Sequence, residues 1–526
     1  MAKLSGIGTR RLRTLYDLGD PIKITPITVL IGRNSSGKST FARILPLLRQ
    51  SVERKKRSPV LWYGDLVDFG TFSQAVTRGE KTIDLSFEVD NIIHPVNKKT
   101  LFTTNYNELR NKINLPCAKV NLTLSSDQEL ESTVAKKLTI SIDDIEIEIN
   151  FSSKKNIDTI TINNKPYELN KENYKIFVEQ GEILPKIKFA EKRKIDGNDR
   201  WFYTENPWKN NPLGIIKERL HQNTSNETIE KISKKLLVST AEKTLSSAKN
   251  INDTGTWRSF VSNLNKNSSF IKRIQESLLI SNIDILLEKL DEAIAETARG
   301  IKYIKPLRAT AERYYRRVDL AVSEIDPEGR NLPIFLDSLT TAQLESFQRW
   351  LKENLDIEVK TNREGYQIIL LAKTSNDSGL SNVADMGFGI SQILPIAAQI
   401  WASNRANESA FSPTSIIVIE QPELHLHPAL QAKIGNVLAG AVSLGETISL
   451  ISKKEPPRIV VETHSQHLIN RLGLLIEEGK ISSDDVSIVI FEPNPSRKGT
   501  SSARVSKFNN EGVLQDWPFG FFEPEM

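Results

Sequence analysis

The chain reads as an α/β protein with a buried parallel sheet, interrupted by an antiparallel β region and a helical insertion. Three observations carry this. Short apolar runs at Ile27–Ile31, Ile416–Ile419 and Ile459–Val461 have the length and composition of strands covered on both faces. Between Thr82 and Phe151 apolar residues alternate with polar ones, the period of half-buried antiparallel strands. Within 213–299 they fall at helical spacing instead.

Ile27–Ile31 leads into the loop Gly32–Gly37 and then an apolar-periodic helix over Phe41–Leu48. The alternating segments are Thr82–Val89, Ala118–Leu124 and Leu138–Phe151, and Asn156, Asn163 and Asn164 mark turns after them. Composition shifts near residue 205, where Pro207 and Pro212 precede a Lys/Glu/Leu-rich stretch. In Ile271–Arg299 the residues Leu279, Ile283, Leu286, Leu287, Leu290 and Ile294 form a helical stripe. No heptad persists over many turns, so long coiled-coil arms are not expected. From about 301 the α/β pattern returns. It predicts a strand at Ile368–Leu371, a helix at Ile390–Trp401, a strand at Ile416–Ile419 and a helix at Ala429–Ala441. Strand Ile459–Val461, helix His467–Glu478 and strand Ser487–Phe491 complete it. This divides the chain into an N-terminal lobe at 1–204, a helical insertion at 205–300 and a C-terminal lobe at 301–526.

Length and composition agree. The 526 residues allow roughly three domains, or one large domain with insertions. Hydrophobic residues at 39% and charged residues at 26% exclude a disordered chain. With 70 basic and 65 acidic residues, charge alone does not indicate nucleic-acid binding. The clusters Arg54–Arg57, Lys192–Lys194 and Arg313–Arg317 read as solvated surface, with phosphate contact as the alternative. A lone cysteine, Cys117, excludes an internal disulfide and a multi-cysteine metal site, and reads as a core residue. No apolar leader opens the sequence and no apolar run reaches about 18 residues. A cytoplasmic protein without a membrane partner is the expectation.

The chemistry concentrates in four segments. Gly32-Arg33-Asn34-Ser35-Ser36-Gly37-Lys38-Ser39 fits the phosphate-loop pattern and lies between a predicted strand and helix, the context that pattern needs. Glycines let backbone N–H groups of Asn34, Ser35, Ser36, Gly37 and Thr40 turn towards a phosphate. Lys38 reaches the outer phosphates and Ser39 ligates Mg²⁺ in this reading. Glu420 ends an apolar strand, where a carboxylate can hold the Mg²⁺ shell beside Ser39. Val460-Val461-Glu462-Thr463-His464-Ser465 ends a further strand, and His464 there can reach a γ-phosphate. Gly387-Phe388-Gly389-Ile390-Ser391-Gln392 opens a helix, either as a second phosphate site or as a plain capped turn.

The order of these motifs resembles the ABC/SMC-like ATPases. Within them the chain is similar to the OLD-type AAA ATPase group, which includes PtuA-like and retron-linked ATPases of anti-phage systems. Glu420-Gln421-Pro422-Glu423-Leu424-His425-Leu426-His427-Pro428, Glu462–Ser465, Gly387–Gln392 and Pro306-Leu307-Arg308 carry the likeness. The ending Asp516-Trp517-Pro518-Phe519-Gly520-Phe521-Phe522 looks like the closing motif of one branch. The resemblance implies ATP and Mg²⁺ as cofactors, and a homodimer or higher oligomer that sandwiches ATP. Gly389 and Ser391 of one subunit would then meet the γ-phosphate at Lys38 of another. It assigns His464 the switch role and places Glu420, Gln421 and Glu423 at the catalytic edge. Gln74 is preferred to Gln50 as the metal-contacting Q-loop glutamine. One departure stands out: Gln421 occupies the usual position of the catalytic glutamate. An amide orients water but takes no proton, so slow hydrolysis is expected. Glu423 is the compensating candidate, and His427 stands at the usual D-loop aspartate.

His425, His427 and His464 are not read as a metal site, because the Leu-His-Leu-His-Pro segment recurs in the resembling group without one. No Gly-x-Ser-x-Gly elbow indicates a hydrolase triad, and no fused nuclease domain is expected. The functional expectation is an ATPase controlling a separate effector, a nuclease or toxin, in anti-phage defence. The alternative is a RecF-like, DNA-engaging ATPase in repair or recombination. Nucleic acid therefore remains a possible partner, and a transporter ATPase is disfavoured.

Overall fold

The computed structural model describes residues 2–94, 111–127, 132–152, 156–179, 181–196, 198–318, 322–404, 415–452 and 455–516. Trp517–Phe522, most of the closing motif, lies outside them. A 16-stranded mixed sheet organises an α/β fold. Its parallel part runs Ile301–Ile304, Ile416–Glu420, Arg458–Glu462, Ile27–Gly32, Val486–Pro493 in spatial order. Ser501–Lys507 turns back antiparallel to Val486–Pro493. The sheet continues through Leu15–Asp17 and Lys3–Leu12 into an antiparallel meander of Thr82–His94, Lys112–Asp127, Ser132–Ile142, Ile145–Phe151 and Ile157–Ile162.

Strand Ile27–Gly32 shows why the apolar runs are unbroken. Ile27, Val29 and Ile31 enter one hydrophobic cluster, while Leu30 enters the other. Ile416 and Val418 likewise face one cluster, and Ile417 and Ile419 the other. Helices cover both faces, so neither set of side chains meets water. The meander instead alternates, with Leu138, Ile140, Ile147 and Ile149 buried among polar neighbours.

Several boundaries differ from expectation for local reasons. The helix expected over Phe41–Leu48 is two, Lys38–Ala42 and Ile44–Glu53, broken at Arg43. Pro46, lacking an N–H, stands in the first turn of the second, where no partner is lost. Leu138–Phe151 is two strands joined at Asp143, whose φ of 51° makes the turn. The stripe in Ile271–Arg299 belongs to helices Ser269–Ser281 and Ile283–Arg299, separated by Asn282. Asn163 and Asn164 do turn the chain, with φ of 49° and 63°. Asn156 does not; it bridges to Phe177. Cys117 is half-buried on a strand.

The helices between 211 and 299 join the cluster formed by the N-terminal strands. Thr297 Oγ1 accepts from the Leu4 N–H at 3.2 Å, and Leu290 and Ile294 are fully buried. A separate three-stranded antiparallel sheet, Tyr174–Glu179, Lys186–Ile195 and Asn198–Thr204, precedes them. Among the described residues no helix is long and apolar enough to cross a membrane.

Candidate functional site

The parallel strands place their C-terminal ends on one edge, the position where open α/β sheets hold ligands. Register aligns four of these ends. Glu420 pairs with Glu462, Glu462 with Leu30, and Phe491 with Gly32. The Gly32–Ser39 loop therefore opens beside two carboxylates.

Two glycines shape the loop. At Gly32, with φ of 154°, a Cβ would stand 2.5 Å from the Phe491 carbonyl oxygen and 2.6 Å from Ser36 Oγ. At Gly37, with φ of 93°, it would stand 2.4 Å from Leu15 Cδ2. Both positions exclude side chains, so the backbone N–H groups stay accessible. Asn34 and Ser35 form the exposed rim, and Thr40 is buried below. Lys38, only 3% exposed, folds back and donates to the carbonyls of Gly32 and Arg33, each at 2.8 Å. Burial pushes its ammonium pKa down, and Glu462 and Glu423 oppose that shift.

The two strand-end carboxylates differ in their partners. Glu420, expected beside Ser39, accepts instead from Arg43 Nε and Nη2 at 2.8 and 2.7 Å, and from Tyr303 Oη at 2.7 Å. Hydrogen bonding to Glu420 raises the Arg43 pKa above its usual value. Burial and the Glu420 charge raise that of Tyr303. The carboxylate touching Ser39 is Glu462, whose Oε1 accepts from the Ser39 hydroxyl at 2.7 Å. Its Oε2 is buried without a hydrogen-bond partner, as is Ser36 Oγ. Burial, reinforced by the nearby Glu420 charge, pushes Glu462 up to about 7. Ser39, Lys38 and Arg43 pull the other way.

The loop after Glu420 is fixed by backbone and side-chain bonds. Gln421 has φ of 43° and donates its N–H to the Glu462 carbonyl at 2.8 Å. Glu423 is committed: Oε2 accepts from Thr463 Oγ1 at 2.9 Å and Oε1 from the His464 N–H at 2.6 Å. Burial raises its pKa despite these bonds. Arg308 closes the loop from the other side, donating to the Gln421 carbonyl at 3.3 Å. Its burial pushes the guanidinium down to about 10. His464 is half-buried, and desolvation followed by the Lys38 charge lowers its pKa, favouring neutral imidazole.

Gly389 and Ser391 lie in the first turn of helix Phe388–Ser403. Ser391 Oγ donates to the Phe388 carbonyl at 2.9 Å, a local bond within that turn. Gln74, expected at the metal, is exposed and used elsewhere. Its Oε1 accepts from the Thr71 N–H at 2.9 Å in a capping box. Gln50 is buried and clips the Leu61–Val67 loop through Leu61 O and Val67 N. His427 Nδ1 accepts from the Ala429 N–H at 3.3 Å, and His425 lies 6.0 Å from the Phe388 ring.

Sequence reading gave no role to Arg43, Tyr303 or Glu462. Arg43 carried a weak signal, four residues beyond Ser39 and one turn along the same segment. Glu462 carried a stronger one, since it ends a strand as Glu420 does. The set suits a magnesium–triphosphate. Buried Lys38 bonds only carbonyl oxygens, Glu462 Oε2 and Ser36 Oγ lack partners, and both glycines keep the cradle open.

Comparison with known proteins gives a family. A model described as the AAA ATPase domain matches residues 17–469. Compared by sequence with curated proteins, the chain has no match. Among solved structures, it is similar to an Smc head bound to the C-terminal winged-helix domain of ScpA. The identity is 10% over 96% of this chain and 97% of that one, with a TM-score of 0.35. It is also similar to an SMC head domain from Thermotoga maritima, at 8% identity over 95% and 98%, with a TM-score of 0.34.

Proposed function

The chain belongs to the AAA ATPase domain family, and from that premise we propose that it binds ATP with Mg²⁺ at Gly32–Ser39 and hydrolyses it slowly. The observation that carries this reading is the unsatisfied polar set at the loop: Lys38 on carbonyls, with Glu462 Oε2 and Ser36 Oγ buried and unpartnered. Lys38 exchanges the carbonyls of Gly32 and Arg33 for phosphate oxygens. The Ser39 hydroxyl and Glu462 hold the cation, with Glu420 behind them, anchored by Arg43. Bound Mg²⁺ neutralises charge on the outer phosphates. Gln421 orients water without accepting its proton, and Glu423 is tied to Thr463 and His464. That combination leaves no ready general base and makes turnover slow. Neutral His464 serves as a donor towards the γ-phosphate. Gly389 and Ser391 complete the site from a second copy, so ATP closes a dimer.

Lys38→Ala tests the core of this reading. A folded variant that binds a fluorescent ATP analogue as tightly as wild type overturns it. Ser391→Arg tests closure: the variant should bind nucleotide yet lose nucleotide-dependent cross-linking between subunits. Cross-linking equal to wild type removes Ser391 from the site.

The closed dimer then acts on a separate effector, a nuclease or toxin, in anti-phage defence. The support is the motif likeness of Glu420–Pro428 and Glu462–Ser465. The division 1–204, 205–300 and 301–526 belongs to the same reading, with the exposed side of the insertion as the docking surface. Pull-down of the effector from the native host with and without a Lys38→Ala substitution tests it. Equal recovery with both, or no specific companion, overturns control by ATP.

A further inference from the structure

The three-stranded sheet of Tyr174–Glu179, Lys186–Ile195 and Asn198–Thr204 has one dry and one wet face. Val178, Ile187 and Phe189 are buried on the first. The pairing puts Phe177 opposite Lys188, Ala190 between Lys175 and Tyr203, and Trp201 opposite Lys192. Directly paired residues share a face, so these side chains all stand on the second face. Tyr203 is 68% exposed and Phe177 36%. Trp201 is half-buried, and the core lies on the other side of the sheet.

The rings are interleaved with cations. Lys175 Nζ lies 4.5 Å from the centroid of Trp201, and Lys188 Nζ lies 5.6 Å from that of Tyr203. Phe177 meets Tyr203 edge-on at 6.3 Å between centroids. Ala190, small and buried, leaves a shallow floor between Lys175 and Tyr203. Lys186 and Lys194 extend the same lysine row along the middle strand. Glu179 and Asp199 pair with Lys188 and Lys192 at 2.6 Å each, and Glu182 with Lys186 at 3.4 Å, which offsets part of this charge.

We propose that this face binds single-stranded nucleic acid, with bases stacking on Trp201, Tyr203 and Phe177 and phosphates meeting the surrounding lysines. Exposed rings on a sheet face suit unpaired bases, each of which offers a π-face. A duplex hides those faces inside its own stack. Lysine is depleted at protein interfaces, so a lysine-framed aromatic row favours a polyanion over a protein. The proposal stands apart from the nucleotide site and requires no ATP.

The test uses the full chain without nucleotide and fluorescein-labelled oligo-dT, oligo-U and a mixed-sequence duplex, read by anisotropy. Both single strands, or one of them, should bind at micromolar concentration and more tightly than the duplex. A preference for oligo-U over oligo-dU, which differ only at the 2′ position, would show that the 2′-hydroxyl is read. Trp201→Ala combined with Tyr203→Ala should weaken binding roughly tenfold or more. Lys188→Gln with Lys192→Gln, at exposed positions that leave the dry face intact, should weaken it and flatten its salt dependence. Thermal melting checks that each variant is folded. Absence of binding, equal duplex binding, or affinity unchanged in both folded variants overturns the proposal. So does a pull-down in which these variants lose a protein companion while oligonucleotide binding stays at wild-type strength.

Discussion

Glu420 and Glu462 end neighbouring parallel strands, face each other in register and are both almost fully buried. Their surroundings nonetheless separate them. Glu420 has a bidentate guanidinium and a phenol. Glu462 has one serine hydroxyl, leaving an oxygen without a partner. A buried carboxylate with full partners is a fixed part of the scaffold. One left half-satisfied is poised for a cation or a proton. On the function proposed above, this difference gives anchoring to one strand end and ligand exchange to the other, whereas sequence pattern alone favours Glu420 for the metal.

The strongest test of that division is enzymatic. Glu462→Gln should lower ATP turnover about a thousandfold and raise the Mg²⁺ needed for half-maximal rate, since a cation ligand is lost. If the Mg²⁺ requirement shifts for Glu420→Gln and stays fixed for Glu462→Gln, the assignment is reversed.

Next in size is the anchor. Arg43→Ala leaves Glu420 buried with only Tyr303, and should cost about 3 kcal/mol in urea unfolding. Arg43 retains some exposure, which keeps the loss in the lower part of the range for such pairs. A change below about 0.5 kcal/mol would mean that the pair is no more than a surface contact.

A pH series sharpens the contrast further. The raised Glu462 pKa means that the folded chain holds a proton which the unfolded chain has released. Stability of the nucleotide-free protein should therefore fall as pH rises from the unfolded carboxyl value near 4.5 to about 7, then level off. Asp291, pushed up to about 6 by burial, acts with the same sign. The informative quantity is thus the difference between wild type and Glu462→Gln, about 3 kcal/mol across that window. Identical slopes would remove Glu462 as a titrating group. Mg²⁺ should bind more tightly as pH rises through the same interval.

The smallest effect concerns Gln74. Gln74→Ala should cost under about 1 kcal/mol, the worth of a helix cap, with unchanged turnover. A large loss of turnover without loss of stability would return Gln74 to the site.

Much of this was legible in the sequence. Unbroken runs at Ile27–Ile31 and Ile416–Ile419 gave buried parallel strands, because only a doubly covered strand lacks polar alternation. Gly32, Gly37, Lys38 and Ser39 announced the loop, since their spacing follows from the backbone geometry it needs. What escaped was partnership. Arg43 meets Glu420 across 377 residues of sequence, and Ser39 meets Glu462 across 423. No local pattern encodes such distant choices. The three-stranded sheet was also missed, because its clustered Lys192–Lys194 resembles ordinary solvated charge until strand pairing brings Trp201 beside it. Gln74 shows the opposite case: its hydrogen bond is made within four residues, to Thr71.

The phosphate-loop strand Ile27–Gly32 lies between Arg458–Glu462 and Val486–Pro493. During synthesis it leaves the ribosome long before either neighbour exists. At ~5–20 residues per second, roughly 20 to 90 s separate its emergence from that of its first ladder partner. In that interval its main-chain N–H and C=O groups face no strand, on a segment apolar on both sides. The antiparallel meander can already assemble around Lys3–Leu12, since Thr82–His94 follows soon after. Formation of the nucleotide pocket is therefore a late event in the life of each chain. Any nascent chain released before about residue 460 carries an intact Gly32–Ser39 motif with no folded cradle to hold it.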